Sequence, residues 1–343
     1  GIIRMLGLKE QEVTKVQTGG PDGDLGSNEI LQSKDKTVAI IDGSGVIHDP
    51  HGLDREELVH LAKERKTISH FDPSKLSKDG YRVLVEDRNL KLPSGEVVPD
   101  GFNFRNGAHL RYKADLFVPC GGRPESINVT NVQQLIKGET TNYKYIVEGA
   151  NLFITRQARL ELEKNGVILY PDASANKGGV TSSSLEVLVG LSLTDEEYIQ
   201  NMLFVDGKPT PFYMNYVRDI QSIIARNARG EFEAIWRENE ETGKPRSFIS
   251  TDLSRSLNLL SLEIEKTNLF EQDTLRNTIL KLVFPQSLVA KVGLDELVRR
   301  VPESYLKSAF AAQVAAGFIY AKGPRASHVD FYDHISALLQ GSS

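Results

Sequence analysis

The sequence predicts an α/β fold, in which a doubly wound parallel sheet is followed by a mostly helical C-terminal domain. Up to about residue 190, short segments rich in Val, Ile and Leu alternate with helical patterns. Strands that alternate with helices form parallel sheets. Beyond residue 190, strand patterns and glycines become sparse. We therefore expect one domain over residues 1–190 and a helical domain over residues 191–343.

The predicted strands of the first domain are short, apolar and bounded by Gly, Pro or Asp. They are Val13–Thr18, Thr37–Asp42, Ala114–Pro119, Tyr145–Glu148 and Val167–Tyr170. The helices predicted between them are Leu53–Arg65, Asn131–Ile136 and Thr155–Asn165. In the second domain the predicted helices are Tyr216–Glu240, Asp252–Asn268, Gln272–Phe284, Gly293–Arg300, Pro302–Lys322 and Val329–Leu339.

One segment interrupts the alternation of strands and helices. Residues 84–109 are polar and contain Gly and Asn. Within them, Pro93-Ser94-Gly95 separates two short apolar runs, as in a hairpin turn. We therefore expect an insertion at the rim of the sheet.

The most informative segment is a glycine-rich turn between the first predicted strand and a helix. It contains Gly19, Gly20, Gly23 and Gly26. Glycine lets the backbone approach a ligand closely because it has no Cβ, and the N-terminus of a following helix presents N–H groups to a phosphate. Strand, glycine turn, helix and strand in this order predict a Rossmann-like dinucleotide-binding unit.

An acid, Asp42, ends the second predicted strand. A ribose-binding carboxylate is expected there, about 20 residues beyond the turn. Such a carboxylate repels the 2′-phosphate of NADP, and no arginine follows in the next few residues to attract that phosphate. The alternative is that Asp42 is a turn residue before Gly43-Ser44-Gly45. We favour the ribose role, and therefore NAD as the cofactor.

Composition excludes several classes of function. The chain has 343 residues with 40% hydrophobic and 25% charged, as in an ordinary globular protein, and its net charge of −5 disfavours a nucleic-acid partner. No apolar stretch reaches the roughly 18–20 residues that span a membrane. The seven histidines show no paired ligand spacing, so we expect no metal.

The single cysteine, Cys120, excludes an internal disulfide and fits the cytoplasm or the mitochondrial matrix. The chain also begins without an initiator methionine. We therefore expect a piece of a longer polypeptide, or a processed one.

Two further polar segments follow predicted strands. Glu148-Gly149-Ala150-Asn151 closes the fourth strand, and residues 170–184 follow the fifth. Ligands bind at the carboxyl ends of parallel strands, and an asparagine offers a carboxamide both a donor and an acceptor. Each segment alone is also typical of a turn.

Taken together, these motifs resemble those of the glutamate dehydrogenases, over roughly residues 13–190. The glycine turn Gly20–Glu29 is closest to the large NAD-specific class of fungi. In dehydrogenases of other amino acids a doubled asparagine is usual, whereas Leu152 follows Asn151 here. The other motifs that carry the resemblance are Ile41–Asp54, Val118-Pro119-Cys120, Glu148–Asn151 and Pro171–Val180.

The resemblance implies a role for each matching residue. The residues implied for NAD are Gly20, Gly23, Asp24, Leu25 and Gly26 at the pyrophosphate, Asp42 at the adenosine ribose, and Pro119, Cys120, Asn151 and Asn176 at the nicotinamide half. Those implied for the substrate are Val180 and Ser183, with Lys177 contacting either the anionic substrate or solvent. Asp24 fits least well, because a carboxylate beside a pyrophosphate is unfavourable unless it points away or caps the helix.

The resemblance also implies a reaction, the oxidative deamination of L-glutamate to 2-oxoglutarate and ammonia by a homo-oligomer. The family's catalytic lysine and aspartate have no counterpart in this chain, and we expect them upstream of it. We therefore predict that the chain binds NAD(H) without turning over glutamate. Two alternatives stay open: a non-catalytic nucleotide-sensing or assembly module, and a dehydrogenase of another amino acid.

Overall fold

The structure is a computed structural model that describes residues 1–340. They form two compact units. The first comprises Gly1–Asn176 with Pro245–Ser247, and the second comprises Lys177–Lys244 with the described residues from Phe248 onward. Position 190, where we expected the domain boundary, lies inside the helix Gly178–Ser192. Within residues 1–340, no helix is long and apolar enough to cross a membrane.

The first unit contains both strands and helices. Its strands are β1 Thr14–Thr18, β2 Lys36–Ile41, β3 Gly45–His48, β4 Tyr81–Leu84, β5 Arg88–Lys91, β6 Val97–Asp100, β7 Ala114–Pro119, β8 Ile136–Lys137, β9 Thr140–Thr141, β10 Tyr143–Val147 and β11 Ile168–Tyr170. Its helices are α1 Ile2–Met5, α2 Asp24–Gln32, α3 Arg55–Glu64, α4 Gly101–Arg111, α5 Arg156–Lys164 and α6 Asp172–Ala175. Short 3-10 turns lie at Glu10–Glu12, Ile68–His70, Pro73–Lys75 and Val132–Leu135, the last where a helix was predicted.

Seven strands form one mixed sheet in the order β11-β10-β7-β1-β2-β3-β4. The five strands from β11 to β2 are parallel, and they are the five that the sequence predicts. From β1 the chain continues to β2 on one side, and later to β7 on the other. This reversal opens a crevice at the carboxyl ends of the strands beside β1.

Helices cover both faces of the sheet. Successive residues of a strand face opposite sides, and two neighbours in β3 show this. Val46 belongs to the same core cluster as Ala108 of α4. Ile47 belongs to a different cluster, with Ile30 of α2 and Leu61 of α3. The predicted doubly wound α/β fold is therefore confirmed.

The sheet also has an antiparallel edge that the sequence did not predict, formed by β3 and β4. The chain reverses after β2 because Oδ1 of Asp42 accepts hydrogen bonds from the N–H groups of Ser44 (2.8 Å) and Gly45 (3.2 Å). A Cβ on Gly45 would overlap the carbonyl oxygen of Val83 in β4. A strand of four residues after so tight a turn is too short to show a clear periodicity.

The segment expected as an insertion contains a hairpin and part of a helix. Strands β5 and β6 pair antiparallel, with Leu90 opposite Val98. The following residues form α4, which begins at the N-cap Asp100, whose carboxylate accepts a hydrogen bond from the N–H of Asn103 (2.8 Å). Because Ala108 is fully buried in the main core, α4 is part of the layer that covers the sheet.

The described part of the second unit is helical. Its longest helix, Pro211–Thr242, has 32 residues; Thr210 is its N-cap, and Gly243 ends it with a left-handed φ of 68°. Three of these helices were not predicted: Gly178–Ser192, a short helix that begins with a capping box of Thr194 and Glu197, and a short helix that follows Pro285. The helices are α7 Gly178–Ser192, α8 Asp195–Met202, α9 Pro211–Thr242, α10 Arg246–Ile264, α11 Asp273–Val283, α12 Gln286–Val292, α13 Leu294–Arg300, α14 Glu303–Lys322 and α15 His328–Gln340.

The antiparallel edge yields a prediction about pH and stability. His48 stacks on Tyr112 with 4.7 Å between ring centroids, and its Nδ1 has no hydrogen-bond partner among residues 1–340. Burial lowers the pKa of His48 to about 4. Below pH 6.5 the unfolded chain binds a proton that the folded chain does not bind, so stability falls as the pH drops from 6.5 towards 4. The loss approaches about 3 kcal/mol at 1.36 kcal/mol per pKa unit.

We expect the variant His48→Phe to lose less stability than the wild type over this pH range. Urea unfolding followed by circular dichroism between pH 4.5 and 7.5 measures the difference. Tyr112→Phe keeps the ring against His48 and should retain the wild-type pH dependence. Parallel pH profiles for the wild type and His48→Phe would contradict the assignment.

Candidate functional site

A cavity of about 370 Å³ opens at the carboxyl ends of β1, β2 and β7. Thr18 and Gly19 line it at the end of β1, Ile41 and Asp42 at the end of β2, and Cys120 just after β7. This is where the strand order reverses, the usual position of a ligand site in open α/β sheets. Its volume is that of a small-molecule site.

The glycine turn forms the floor of this cavity. Gly19 has a left-handed φ of 85°, and a Cβ there would lie 2.7 Å from the carbonyl carbon of Cys120. A Cβ on Gly26 would lie 2.6 Å from the carbonyl oxygen of Gly19 and closer still to that of Gly20. Gly20 and Gly23 line the cavity, and Gly23 is the N-cap of α2. The glycines therefore allow α2 to begin directly against the turn.

Asp24 and Leu25 do not line the cavity. Asp24 is the first residue of α2, and its side chain is 95% exposed. Its Oδ1 accepts a hydrogen bond from Nη1 of Arg65 (2.8 Å). A carboxylate in the first turn stabilises a helix, so Asp24 favours α2 without opposing an anion in the cavity.

Asp42 is buried and lines the cavity. Besides the N–H groups of Ser44 and Gly45, its Oδ1 accepts the Ser44 hydroxyl (2.7 Å), while Oδ2 accepts the N–H of Ile68 (2.8 Å). Burial raises the pKa of this carboxyl, and the charge of Asp22 acts in the same direction. Since a carboxylate oxygen accepts two hydrogen bonds, Oδ2 retains capacity for a ligand hydroxyl while holding the turn.

A second carboxylate, which sequence reasoning missed, lies beside Asp42. A Cβ on Gly20 would lie 2.6 Å from Oδ1 of Asp22 and closer still to Oδ2 of Asp42. Asp22 lines the cavity. Its position within the glycine turn was the only sequence signal for it. The carboxylates of Asp22 and Asp42 therefore both lie next to Gly20.

Two arginines also line this cavity, and sequence reasoning missed both. Arg105 of α4 lines the cavity, and its Nε donates to the carbonyl oxygen of Asp42 (2.7 Å). Arg123 lines the cavity beyond Gly121-Gly122. The sequence Gly121-Gly122-Arg123, just after a predicted strand, could have indicated Arg123 as a site residue. No local pattern indicated Arg105, which reaches the site only through the packing of α4.

Pro119 and Cys120 end β7 beside the glycine turn. The N–H of Cys120 donates to the carbonyl oxygen of Thr18 (2.7 Å), and the carbonyl oxygen of Pro119 accepts from the N–H of Ala150 (2.6 Å). Cys120 lines the cavity, whereas Pro119 does not. Burial raises the pKa of the Cys120 thiol to about 12. The thiol is therefore protonated at neutral pH and is a poor nucleophile.

The two asparagines predicted for the nicotinamide half lie next to each other. Nδ2 of Asn176 donates to Oδ1 of Asn151 (3.1 Å). Asn151 follows β10 and Asn176 follows β11, so both lie near the carboxyl ends of strands. Neither lines the cavity.

Comparison with known proteins assigns the chain to a family. The family model of Glutamate/Leucine/Phenylalanine/Valine dehydrogenases matches residues 1–243. The chain belongs to this family.

The curated relatives include fungal proteins. The chain is 53% identical to a probable NAD-specific glutamate dehydrogenase of Schizosaccharomyces pombe over 98% of its own length and 31% of that protein. It is 52% identical to the NAD-specific glutamate dehydrogenase of Neurospora crassa over 98% of its length and 32% of that protein. The chain thus spans about a third of these relatives. A glutamate dehydrogenase structure from Plasmodium falciparum is similar with a TM-score of 0.45 and 17% identity, covering 71% of this chain and 44% of that one.

The three residues predicted to contact the substrate lie in the second unit; they are Lys177, Val180 and Ser183. Lys177 forms an ion pair through Nζ with Glu231 of α9, a buried carboxylate that also accepts a hydrogen bond from the hydroxyl of Tyr320 (3.0 Å). The charge of Lys177 is thereby matched within the protein. Val180 and Ser183 are exposed residues of α7. Within the described part of the chain, no group of three or more His, Cys, Asp and Glu residues is placed to hold a metal ion.

The glycine turn predicts a steric effect on stability. Gly26→Ala places a Cβ against two carbonyl oxygens, so α2 must move, at a cost of about 1–3 kcal/mol. Gly107→Ala is the matched control, because this glycine is inside helix α4 and a Cβ there has no neighbour within 4 Å. It should raise stability by about 0.5–1 kcal/mol. Urea unfolding of both variants tests this, and equal stabilities would contradict the packing described.

The raised pKa of Cys120 predicts that its thiol reacts slowly. At pH 8, a thiol with a pKa of about 12 holds roughly a thousandfold less thiolate than an ordinary cysteine. We expect iodoacetamide to label the folded chain at least a hundredfold more slowly than the chain unfolded in urea. Since the chain has one cysteine, the mass increase reports this site alone. Comparable rates in both states would contradict the burial of the sulfur.

Proposed function

We propose that the first unit binds NAD, as the cofactor-binding part of a longer glutamate dehydrogenase. The observation that carries the proposal is the cavity above the glycine turn, with a buried acid at the end of β2. The residues fit a dinucleotide because Gly20 lines the cavity without a side chain, and because the absence of a Cβ at Gly26 lets α2 begin directly against the turn. The fungal relatives are named NAD-specific glutamate dehydrogenases.

Different residues of the site bind different parts of NAD. The N–H groups at the start of α2 and the guanidinium of Arg123 supply positive potential for the pyrophosphate. Asp42 accepts hydrogen bonds from the adenosine ribose. Asn151 and Asn176 are assigned to the nicotinamide half. Bound NAD supplies the hydride acceptor, and the chain contributes binding and orientation.

The proposed reaction of the longer protein is the oxidative deamination of L-glutamate to 2-oxoglutarate and ammonia. The family description also names leucine, phenylalanine and valine. The single asparagine before Leu152 supports glutamate. Assay of the full-length protein with glutamate and leucine decides between them, and faster oxidation of leucine would reject the assignment.

We further propose that the longer protein is a homo-oligomer of the cytoplasm or the mitochondrial matrix. A single, partly buried cysteine supports a reducing compartment. We assign the assembly surface to the helical second unit, which has its own core. Light scattering of the full-length protein measures its mass, and a monomer would reject the first part of this proposal.

Binding by the isolated chain is the direct test of the proposed function. We expect NADH to bind with at least tenfold higher affinity than NADPH, measured by NADH fluorescence. Glutamate and NAD should give no NADH with this chain, because we expect the family's catalytic lysine and aspartate to lie outside it. No binding of NADH, or turnover by the chain alone, would contradict the proposal.

The two acids of the glycine turn provide a matched test of NAD preference. Asp22 lies beside Asp42 in the cavity, whereas Asp24 pairs with Arg65 outside it. Removing a charge near the 2′-phosphate position removes a repulsion of roughly 1 kcal/mol. We therefore expect Asp22→Asn to tighten NADPH binding about fivefold, with NADH binding little changed. Asp24→Asn should leave both affinities as they are, and equal effects of the two variants would reject this account.

A further inference from the structure

A buried cluster of three charged side chains joins the ends of β10 and β11. Glu148, which follows β10, is fully buried. Its Oε1 accepts Nε of Arg159 (2.7 Å) and its Oε2 accepts Nη2 of the same guanidinium (3.0 Å). Nη2 of Arg159 also donates to Oδ1 of Asp172 (2.8 Å), the first residue of α6. One guanidinium therefore bridges the two strand ends.

The carboxylates of this cluster also hold the backbone of the segment that carries Asn151. Oδ2 of Asp172 accepts the N–H of Leu152 (2.7 Å), and Oε2 of Glu148 accepts the N–H of Ile154 (3.3 Å). Leu152 has a left-handed φ of 58°. That conformation is unfavourable for a leucine and persists only where the surroundings fix it.

The same cluster fixes the segment that carries Asn176. Oδ1 of Asp172 accepts the N–H of Ala173 (2.8 Å). The carbonyl oxygen of Asp172 accepts the backbone N–H of Asn176 (2.8 Å). Asp172 thus contacts both segments, and the side chains of Asn151 and Asn176 meet at 3.1 Å as a result.

The hydrogen bond between the two asparagines sets which groups remain for a ligand. With Asn176 as donor and Oδ1 of Asn151 as acceptor, the Nδ2 of Asn151 and the Oδ1 of Asn176 have no other hydrogen-bond partner recorded within residues 1–340. One donor and one acceptor side by side complement a carboxamide, which offers one acceptor and one donor. If both side-chain amides are flipped, so that each oxygen and nitrogen change places, the pair still offers one donor and one acceptor.

Stability alone does not account for such a cluster. Desolvation of buried charges costs several kcal/mol, and apolar residues of similar volume are often as stable or more stable. Burial raises the pKa of Glu148 despite its contact with Arg159, which reflects this cost. What apolar residues would not supply is the set of directed acceptors for Leu152 and Ile154.

We propose that Glu148, Arg159 and Asp172 are positioning residues that align Asn151 and Asn176 for the nicotinamide carboxamide. This inference rests on the proposed binding of NAD by the first unit. It predicts that losing the cluster weakens recognition of the nicotinamide half and spares the adenosine half.

The test compares NADH with ADP-ribose, which lacks the nicotinamide, using the whole 343-residue chain. Arg159→Lys keeps the charge but loses the planar fork that bridges both carboxylates. We expect it to weaken NADH binding about tenfold and to leave ADP-ribose binding within twofold. The fluorescence of bound NADH should shift towards that of free NADH.

Two further variants separate alignment from folding. The triple variant Glu148→Met/Arg159→Met/Asp172→Leu removes all three charges, so no charge is left unpaired, and it should show the same selective loss with little change in thermal stability. Lys144→Met is the matched control, because it removes an ion pair (2.7 Å to Asp115) on the same strand β10. It should alter neither affinity.

A double-mutant cycle provides the sharpest readout. If the cluster acts through Asn151, Asn151→Ala should reproduce the selective loss, and Arg159→Lys should add nothing in that background. Unchanged affinities, or a parallel loss of NADH and ADP-ribose affinity, would overturn the inference. So would equal affinity of the unaltered chain for the two ligands. If the unaltered chain binds neither ligand, the proposed function fails and this inference fails with it.

Discussion

The close approach of helix α2 to the end of β1 is the constraint on which the rest of the first unit depends. Gly26 lies against the carbonyl oxygens of Gly19 and Gly20, at a separation that no Cβ tolerates. The buried side chain of Gln17 spans the same gap, because its Nε2 donates to the carbonyl oxygens of Gly19 (2.8 Å) and Gly26 (3.1 Å). This contact places the N–H groups of α2 beside the cavity at the end of β1.

The other end of α2 is fixed by charge. Lys15 in β1 is fully buried, and its ammonium contacts Glu29 (3.0 Å), Ser33 (2.9 Å) and Asp35 (2.9 Å). A buried ammonium is tolerated only when it is paired and hydrogen-bonded. Satisfying Lys15 therefore requires α2 and the start of β2 in one arrangement. A helix fixed at both ends keeps its N-terminus in place without help from a ligand.

The sequence predicts those parts of the fold and site that depend on local patterns. The five parallel strands show as short apolar segments, and the glycines with Asp42 show as a spaced motif. Arg105 could not be found this way, because only the packing of α4 brings it to the carbonyl oxygen of Asp42. The same holds for the Glu148–Arg159–Asp172 cluster, whose members are 11 and 13 residues apart along the chain. Ion pairs at such separations follow from tertiary structure.

The arrangement of charge around the turn reconciles two acids with an anionic ligand. Asp22 and Asp24 are two residues apart, yet the start of α2 falls between them and separates their environments. Asp24 interacts favourably with the helix N-terminus and with Arg65, so it does not oppose a pyrophosphate. Asp22 lies beside Asp42, where the uncharged ribose hydroxyls are expected. A carboxylate that faced the pyrophosphate would weaken its binding. A carboxylate beside the ribose repels a 2′-phosphate instead and so favours NAD over NADP. Selectivity therefore depends more on where each carboxylate points than on the net charge.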